Sequence, residues 1–253
     1  MRRHVRSPVR ISSGQPHAPF SNQIVTYSYR LAVQSNHRRR HPTLAAPHLL
    51  AAPVILRPPR VGDAIALRAV RERNARWLAE WLPSEPDPRA RLPSAALAAF
   101  SRSRAATWAK LQHSRLQVVR GGALTWTVRY GGHLTGEVIV FDIVMGAARS
   151  AKVGYWIDQA HAGLGITPTA VALVADHCFG TMGLHRIEAG IRPENIASRR
   201  LAEKLGFRDE GISRQSVHVA GAWRDHVRYA VTAGDCPTGV LARWRASLAW
   251  AGH

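Results

Sequence analysis

Two glycines stand one residue apart in the segment AHAGLGITPTAVALVADHCFG (160–180), directly ahead of a long apolar run. Gly163 and Gly165 can adopt backbone conformations that other residues avoid, and they let the backbone approach a ligand closely. Thr167 is a favourable N-cap and Pro168 suits the first helical position, so we expect a helix to begin here. The unpaired N–H groups at a helix start attract anions. The segment therefore predicts either a binding site for a phosphate or pyrophosphate, or a tight strand-to-helix turn.

The other reactive residue types indicate little further chemistry. The loop lacks the Gly-Lys-Ser/Thr ending of a nucleoside-triphosphate loop and is too short for a dinucleotide fingerprint. The chain has two cysteines. Cys178 lies inside the apolar run, which predicts a small core residue, and Cys236 lies near the C-terminus. Two such cysteines provide neither a disulfide framework nor metal-ligand spacing, so we expect no metal and a reducing compartment.

The chain is strongly basic, with 35 Lys and Arg against 16 Asp and Glu and a formal net charge of +19. Residues 1–60 contain ten arginines and no acidic residue. A segment of this kind is compatible with a weak electrostatic contact to RNA, a disordered leader, an organellar transit peptide or a start site assigned too early. No run reaches the ~18 apolar residues of a membrane span, so we expect no membrane partner.

Hydrophobic periodicity divides the chain into a basic leader (1–53) that we expect to be mostly disordered, a folded domain (54–233) and a C-terminal amphipathic extension (234–253). The predicted strands are 54–58, 123–130, 134–144, 152–158, 185–193, 212–220 and 225–232. The predicted helices are one from Asp63 to Trp81 and others over about 94–113, 167–182 and 195–207. This order predicts an α/β (α+β) domain, with a mixed sheet flanked by helices.

Five pieces of the chain occur together in an informative order. They are ILRPPRVGD (55–63), GYWID (154–158), AGLGITPTA (162–170), HRIEAGIRPENIASRRLAEKLGFRDEG (185–211) and GAWRDHVRYAVT (221–232). As a set, they resemble the Gcn5-related N-acetyltransferase (GNAT) family, in its RimJ/RimL branch, which acetylates protein N-termini. The resemblance implies a mostly antiparallel sheet with one splayed pair of strands.

The resemblance also implies acetyl-coenzyme A as the co-substrate. In the family, a loop of the pattern Gln/Arg-x-x-Gly-x-Gly/Ala holds the pyrophosphate. The corresponding residues here are Ala162, Gly163, Leu164, Gly165, Ile166 and Thr167. The first and last of these depart from the pattern, but their backbone amides remain. Trp156 and Ile157 are implied to contact the pantetheine arm and to supply an oxyanion donor through the backbone. Asn195 is implied to contact coenzyme A, and its position also suits a helix N-cap.

The catalytic residues are implied less directly. Many relatives carry a tyrosine where this chain has Ala202, and Ser198 is then the candidate that donates a hydrogen bond to the departing sulfur. A small residue that lets the helix pack is the alternative for Ser198. His218 is the candidate general base because its intrinsic pKa suits that role. Glu137, Glu188 and a water relay remain alternatives.

The leading hypothesis is a cytoplasmic acetyltransferase that modifies the N-terminal α-amine of a protein, such as Ala or Ser of a ribosomal protein. An α-amine has a pKa near 8, against about 10.4 for lysine, so it loses its proton more easily near neutral pH. A strongly basic enzyme should also repel polyamines and aminoglycosides. The alternatives are an acetyltransferase of a small-molecule amine and a catalytically silent protein that binds acetyl-coenzyme A or RNA.

Overall fold

A computed structural model describes residues 41–46, 49–84 and 122–250 of the chain. The helix expected over 94–113 lies outside the described residues, as do residues 1–40 of the expected leader. No helix among the described residues combines the length and the hydrophobicity that crossing a membrane requires.

Among the described residues, eight strands form one sheet, and seven of them are the strands that the sequence predicts. They are β1 (Leu44–Ala46), β2 (Val54–Arg57), β3 (Ala123–Tyr130), β4 (His133–Val144), β5 (Ser150–Ile157), β6 (Arg186–Ile191), β7 (Arg208–Val219) and β8 (Ala222–Thr232). Their spatial order is β1-β2-β3-β4-β5-β6-β8-β7. All neighbouring pairs are antiparallel except β5 and β6. The sheet is therefore mixed and mostly antiparallel, as expected.

The parallel pair is splayed. β5 and β6 pair only at their beginnings, and the last paired residues are Lys152 and Glu188. β5 then continues to Ile157 and β6 to Ile191 without pairing with each other. Five residues of β5 therefore present one backbone edge to a gap in the sheet rather than to a neighbouring strand.

In the part of the chain that the structure describes, five α-helices accompany the sheet. They are α1 (Ala64–Arg73), α2 (Ala75–Ala79), α3 (Ile166–Gly180), α4 (Ile196–Lys204) and α5 (Val240–Trp250). The single helix expected from Asp63 to Trp81 is wrong, because it breaks at Asn74, whose side chain bonds to distant residues as well as to its own helix. The expectation that Thr167 caps α3 is also wrong. Gly165 is the N-cap, with a positive φ of 76°.

The helices cover both faces of the sheet. One face carries the main core, in which Val171, Val174 and Cys178 of α3 lie against strand residues such as Trp126 and Val138. Cys178 is a core residue as expected, and burial raises the pKa of its thiol to about 12. On the opposite face, a smaller cluster joins α1 and α2 to the sheet, and its buried members are Leu67, Val70, Leu78, Leu134 and Trp156.

The sheet begins earlier than the sequence predicts. β1 pairs with β2 over Leu44–Ala46, ahead of residue 54, where the sequence places the start of the domain. The Trp126 indole N–H donates to the Pro42 carbonyl over 2.9 Å, which fixes the start of β1 to the centre of the sheet. At the other end, the expected C-terminal helix is α5. It packs on α3 with Val240 and Trp244 buried.

Candidate active site

The open edge of β5 places Trp156 and Ile157 where the strands have diverged. Both residues are buried. Side chains alternate along a strand, so Tyr155 and Ile157 point to the face that carries α3, and Trp156 points to the face that carries α1. Trp156 accordingly belongs to the cluster with α1, and Ile157 belongs to the main core. The backbone of this segment is therefore held from both faces of the sheet.

The loop after β5 leads into the start of α3. Gly163 and Gly165 have φ values of 80° and 76°, a region that strongly favours glycine. Within the described part of the chain, no protein oxygen accepts a hydrogen bond from the backbone amides of residues 163–167. The Ala162 amide is different, because it donates to the Gln159 carbonyl over 3.1 Å. Five of the six predicted loop residues thus offer unpaired amides at the positive end of a helix.

A buried carboxylate fixes this loop. Asp158 follows β5 directly and is 1% exposed. It accepts hydrogen bonds from Arg73, from the Asn74 side chain (2.7 Å) and, when the ring carries the proton there, from His161 Nδ1 (3.1 Å). The hydrogen bond from the Arg73 guanidinium holds the pKa of Asp158 well below its usual range, despite burial. Asp158 therefore remains ionised at neutral pH.

Asn74 connects the same loop to the break between α1 and α2. Its side-chain NH₂ donates to the Val70 carbonyl and to Asp158, and its side-chain oxygen accepts from the Gln159 amide over 2.9 Å. We call Arg73, Asn74 and Asp158 the loop latch. An open groove of about 360 Å³ borders the latch together with Gln159 and Ala160. None of these three residues was predicted from the sequence to belong to the site, although Asp158 stands directly after a predicted strand, where carboxylates often have a role.

The start of α4 lies beyond the end of β6. The Asn195 side-chain oxygen accepts from the Ser198 amide over 3.1 Å, which confirms that Asn195 is an N-cap. This bond leaves the Asn195 NH₂ group with no partner among the described residues. Ser198 lies in the first turn of α4 and is half-buried. Ala202, where many relatives carry a tyrosine, is buried. Three features therefore lie at the carboxyl ends of the splayed strands. They are the open edge of β5, the loop of residues 162–167 (the glycine loop) and the start of α4.

His218 lies apart from the carboxyl ends of the splayed strands. His218 pairs with Trp223 near the tip of the β7–β8 hairpin. On β8, Trp223 lies four residues from Val227, which pairs with Ile191 at the end of β6. Because four strand residues span about 14 Å, His218 lies about that far from the end of β6. His218 Nδ1 is 3.0 Å from the Ser84 hydroxyl, and the His218 ring contacts the Trp223 ring. Its role as a general base stays a prediction.

The two glutamates considered as alternative bases are both in ion pairs. Glu137 pairs with Arg71 and accepts from the Trp156 indole N–H over 2.9 Å. Glu188 accepts from Arg186 over 2.7 Å. Among the described residues, no group of three His, Cys, Asp or Glu side chains is placed to hold a metal ion.

Comparison with known proteins agrees with this geometry. The sequence pattern of the acetyltransferase (GNAT) domain matches residues 54–208. The chain is 47% identical over 102 residues to the probable N-acetyltransferase YjcK of Bacillus subtilis, which is 40% of this chain and 56% of that protein. It is 34% identical over 98 residues to the ribosomal protein uS5-alanine N-acetyltransferase of Escherichia coli, which is 39% of this chain and 50% of that protein. The matched segment spans about half the length of these curated relatives.

A solved structure extends the similarity. Mycobacterium smegmatis RimJ, in complex with CoA-disulfide, superimposes with a TM-score of 0.72 and 32% identity, covering 82% of this chain and 93% of that one. A ribosomal-protein-S5-alanine acetyltransferase from Vibrio fischeri gives a TM-score of 0.61 and 26% identity, covering 71% and 92% of the two chains. The splayed strands, the open amides of the glycine loop and these similarities lead to one conclusion: the chain belongs to the GNAT acetyltransferase family.

Proposed function

We propose that this protein transfers an acetyl group from acetyl-coenzyme A to the α-amine at the N-terminus of a protein. The observation that carries the proposal is the gap between β5 and β6, with the unpaired amides of residues 163–167 at its end. The gap provides an unpaired strand edge, and the amides provide an anion-binding site. An extended arm that ends in a pyrophosphate matches both features.

The loop before α3 has room for the pyrophosphate of coenzyme A. A Cβ added at Gly163 would meet no atom within 4 Å, so the loop is open on that side. The amides of Gly163, Leu164, Gly165, Ile166 and Thr167 would hold the pyrophosphate. The backbone of Trp156 and Ile157 would hold the pantetheine arm, and the free NH₂ of Asn195 would donate to the same molecule. When bound, acetyl-coenzyme A supplies an activated acyl group in a thioester.

The chain's own groups must hold the two reactants together and accommodate developing charge. Positioning an amine beside a thioester lowers the barrier by removing the entropy cost of their encounter. An unpaired amide on the β5 edge would donate to the acyl oxygen, as backbone donors do in other acyl transfers. Ser198 would donate to the departing sulfur. The amine proton would pass to water, and through a water relay to His218.

The acceptor class rests on the relatives and on charge. The relatives named above include a ribosomal protein uS5-alanine N-acetyltransferase and RimJ. The buried carboxylates next to the gap, Glu137 and Asp158, are both paired with arginines. Neither of these two carboxylates is therefore free to bind a polycation, and a single α-amine does not need an acidic pocket. We therefore propose a ribosomal protein with N-terminal Ala or Ser as the acceptor, and the cytoplasm as the location. Two free cysteines fit that compartment.

A thiol-release assay tests this proposal. Purified protein is given acetyl-coenzyme A with peptides that begin with Ala or Ser, with the same peptides blocked at the N-terminus, or with a polyamine. We expect release with the unblocked peptides alone. Release with the polyamine alone would contradict both the acceptor and the charge argument. Binding of acetyl-coenzyme A without release on any acceptor would favour a catalytically silent protein.

A further inference from the structure

The hydroxyl of Tyr155 is an unusual group in this fold. Its oxygen is shielded from solvent and has no hydrogen-bond partner of regular geometry among the described residues. It is also the one buried side-chain polar atom in the described part of the chain for which this holds. Leaving a buried hydroxyl unpaired is costly, and such groups in native proteins often mark functional positions. The position of Tyr155 is therefore informative.

The backbone of Tyr155 borders the gap between the splayed strands. Tyr155 comes three residues after Lys152, the last residue of β5 that pairs with β6. Its side chain packs against the main core, on the same face as α4. The Ser198 side chain opposes the rise in the Tyr155 pKa, so Ser198 lies near the buried hydroxyl of Tyr155. Ser198 is in the first turn of α4, the helix that follows β6 on the other side of the gap.

A second tyrosine in the same region provides a contrast. Tyr229 on β8 is fully buried, but its hydroxyl donates to Glu203 and accepts from Arg199, both over 3.1 Å. Two tyrosines near α4 therefore differ in one respect, because one hydroxyl is satisfied by the protein and the other is not. The unsatisfied hydroxyl belongs to the strand that borders the gap.

We propose that the Tyr155 hydroxyl, together with that of Ser198, donates a hydrogen bond to the sulfur of coenzyme A as the acetyl group leaves. This inference rests on the acetyl-transfer function proposed above. Ala202 carries no polar group, and among the described residues the hydroxyl groups of the gap and of the first turn of α4 are those of Tyr155 and Ser198. Tyr155 is then a catalytic residue for this reaction.

The chemistry assigns Tyr155 a hydrogen bond and not a proton transfer. In the reaction, the amine nitrogen bonds to the acyl carbon, the carbon–sulfur bond breaks and its electron pair stays on sulfur. The proton that the amine loses ends on that sulfur through solvent, so the products are an amide and a free thiol. Burial raises the pKa of Tyr155 to about 12. A thiol titrates near 8.5, so Tyr155 keeps its proton while it donates to the sulfur.

Substitution of Tyr155 by Phe separates this role from a structural one. Tyr155→Phe deletes an unpaired hydroxyl, so we expect a Tm equal to or above that of the wild type. Tyr229→Phe deletes a bonded hydroxyl, so its Tm should fall. In the wild type, the hydrogen bond to sulfur stabilises the thiolate of bound coenzyme A. The pKa of that thiol, followed by the ultraviolet absorbance of the thiolate, should therefore rise by about one unit in Tyr155→Phe, and kcat should fall about tenfold.

Tyr130→Phe is the matched control outside the gap, and it should leave the thiol pKa unchanged. A thiol pKa that is the same in Tyr155→Phe and the wild type overturns the inference while leaving the acetyl-transfer function intact. A Tm that falls as far as in Tyr229→Phe shows a structural hydrogen bond and also overturns it. Failure of the wild type to bind coenzyme A overturns both this inference and the proposed function.

Discussion

Gly136 shows how a single residue determines the shape of the site from outside it. It faces Ile157 across the β4–β5 pair, and a Cβ added at Gly136 would lie 2.3 Å from the Trp156 carbonyl oxygen. Only a glycine lets β4 come this close to the backbone that borders the gap. The sequence predicted the glycines of the loop because they precede a helix, but it did not predict this one. The contact that requires Gly136 is made by a different strand.

Gly136→Ala should destabilise the protein by about 3 kcal/mol, because the added methyl group meets backbone that cannot move aside. The shift of Trp156 should also weaken the binding of acetyl-coenzyme A. Gly190→Ala is the matched control on β6, where the nearest atom to the added Cβ is 3.9 Å away. It should stay within about 0.5 kcal/mol of the wild type. Urea denaturation measures both, and equal losses in the two variants would contradict the account.

At the scale of elements, local sequence patterns were sufficient to predict most strands and the helices α3 and α4. Alternation and helical spacing are properties of neighbouring residues, and they remain readable without the fold. The break between α1 and α2 was not readable, because Asn74 bonds to Asp158, which lies 84 residues away. β1 was missed for the same reason. It has only three residues, and its place depends on β2 and on Trp126.

Removal of the Asn74 side chain tests the loop latch. Asn74→Ala deletes three hydrogen bonds and leaves the Gln159 amide without its acceptor, so we expect a loss of about 3 kcal/mol. The loop before α3 should loosen with it, which would raise the KM for acetyl-coenzyme A. Glu72→Ala, on the exposed face of α1, removes only a surface pair with Arg68 and should cost less than about 1 kcal/mol. A KM that is unchanged in Asn74→Ala would show that the latch does not position the loop.

At the scale of the whole molecule, α5 completes the domain from outside the segment that matches the family. The Asp176 carboxylate of α3 accepts from the Val240 and Leu241 amides over 2.6 and 3.1 Å, which caps α5. The Trp244 indole N–H donates to Thr169 over 2.9 Å, and the ring lies beside Gly165. The sequence predicted an amphipathic helix here but not its partner. Contact between the basic leader and RNA stays a prediction.

Trp244→Ala should destabilise the protein by about 3–5 kcal/mol, because it empties a buried site against α3. Trp244→Phe keeps most of the apolar contact and loses the hydrogen bond to Thr169. The lost hydrogen bond should cost about 1 kcal/mol, in addition to the cost of the smaller side chain. Trp223→Ala is the control, because Trp223 is 55% exposed and its loss should cost far less. Thermal unfolding measures all three. A loss in Trp244→Ala no larger than that in Trp223→Ala would show that α5 is not part of the core.

The most direct measurement is the position of the acetyl group on a peptide that offers two amines. The peptide begins with Ala and carries one internal lysine, and tandem mass spectrometry locates the modification after incubation with the protein and acetyl-coenzyme A. We expect acetylation of the N-terminal α-amine, with the lysine unmodified and with no product from the N-terminally blocked peptide. Acetylation of the lysine in either peptide, with a free α-amine left unmodified, would contradict this expectation.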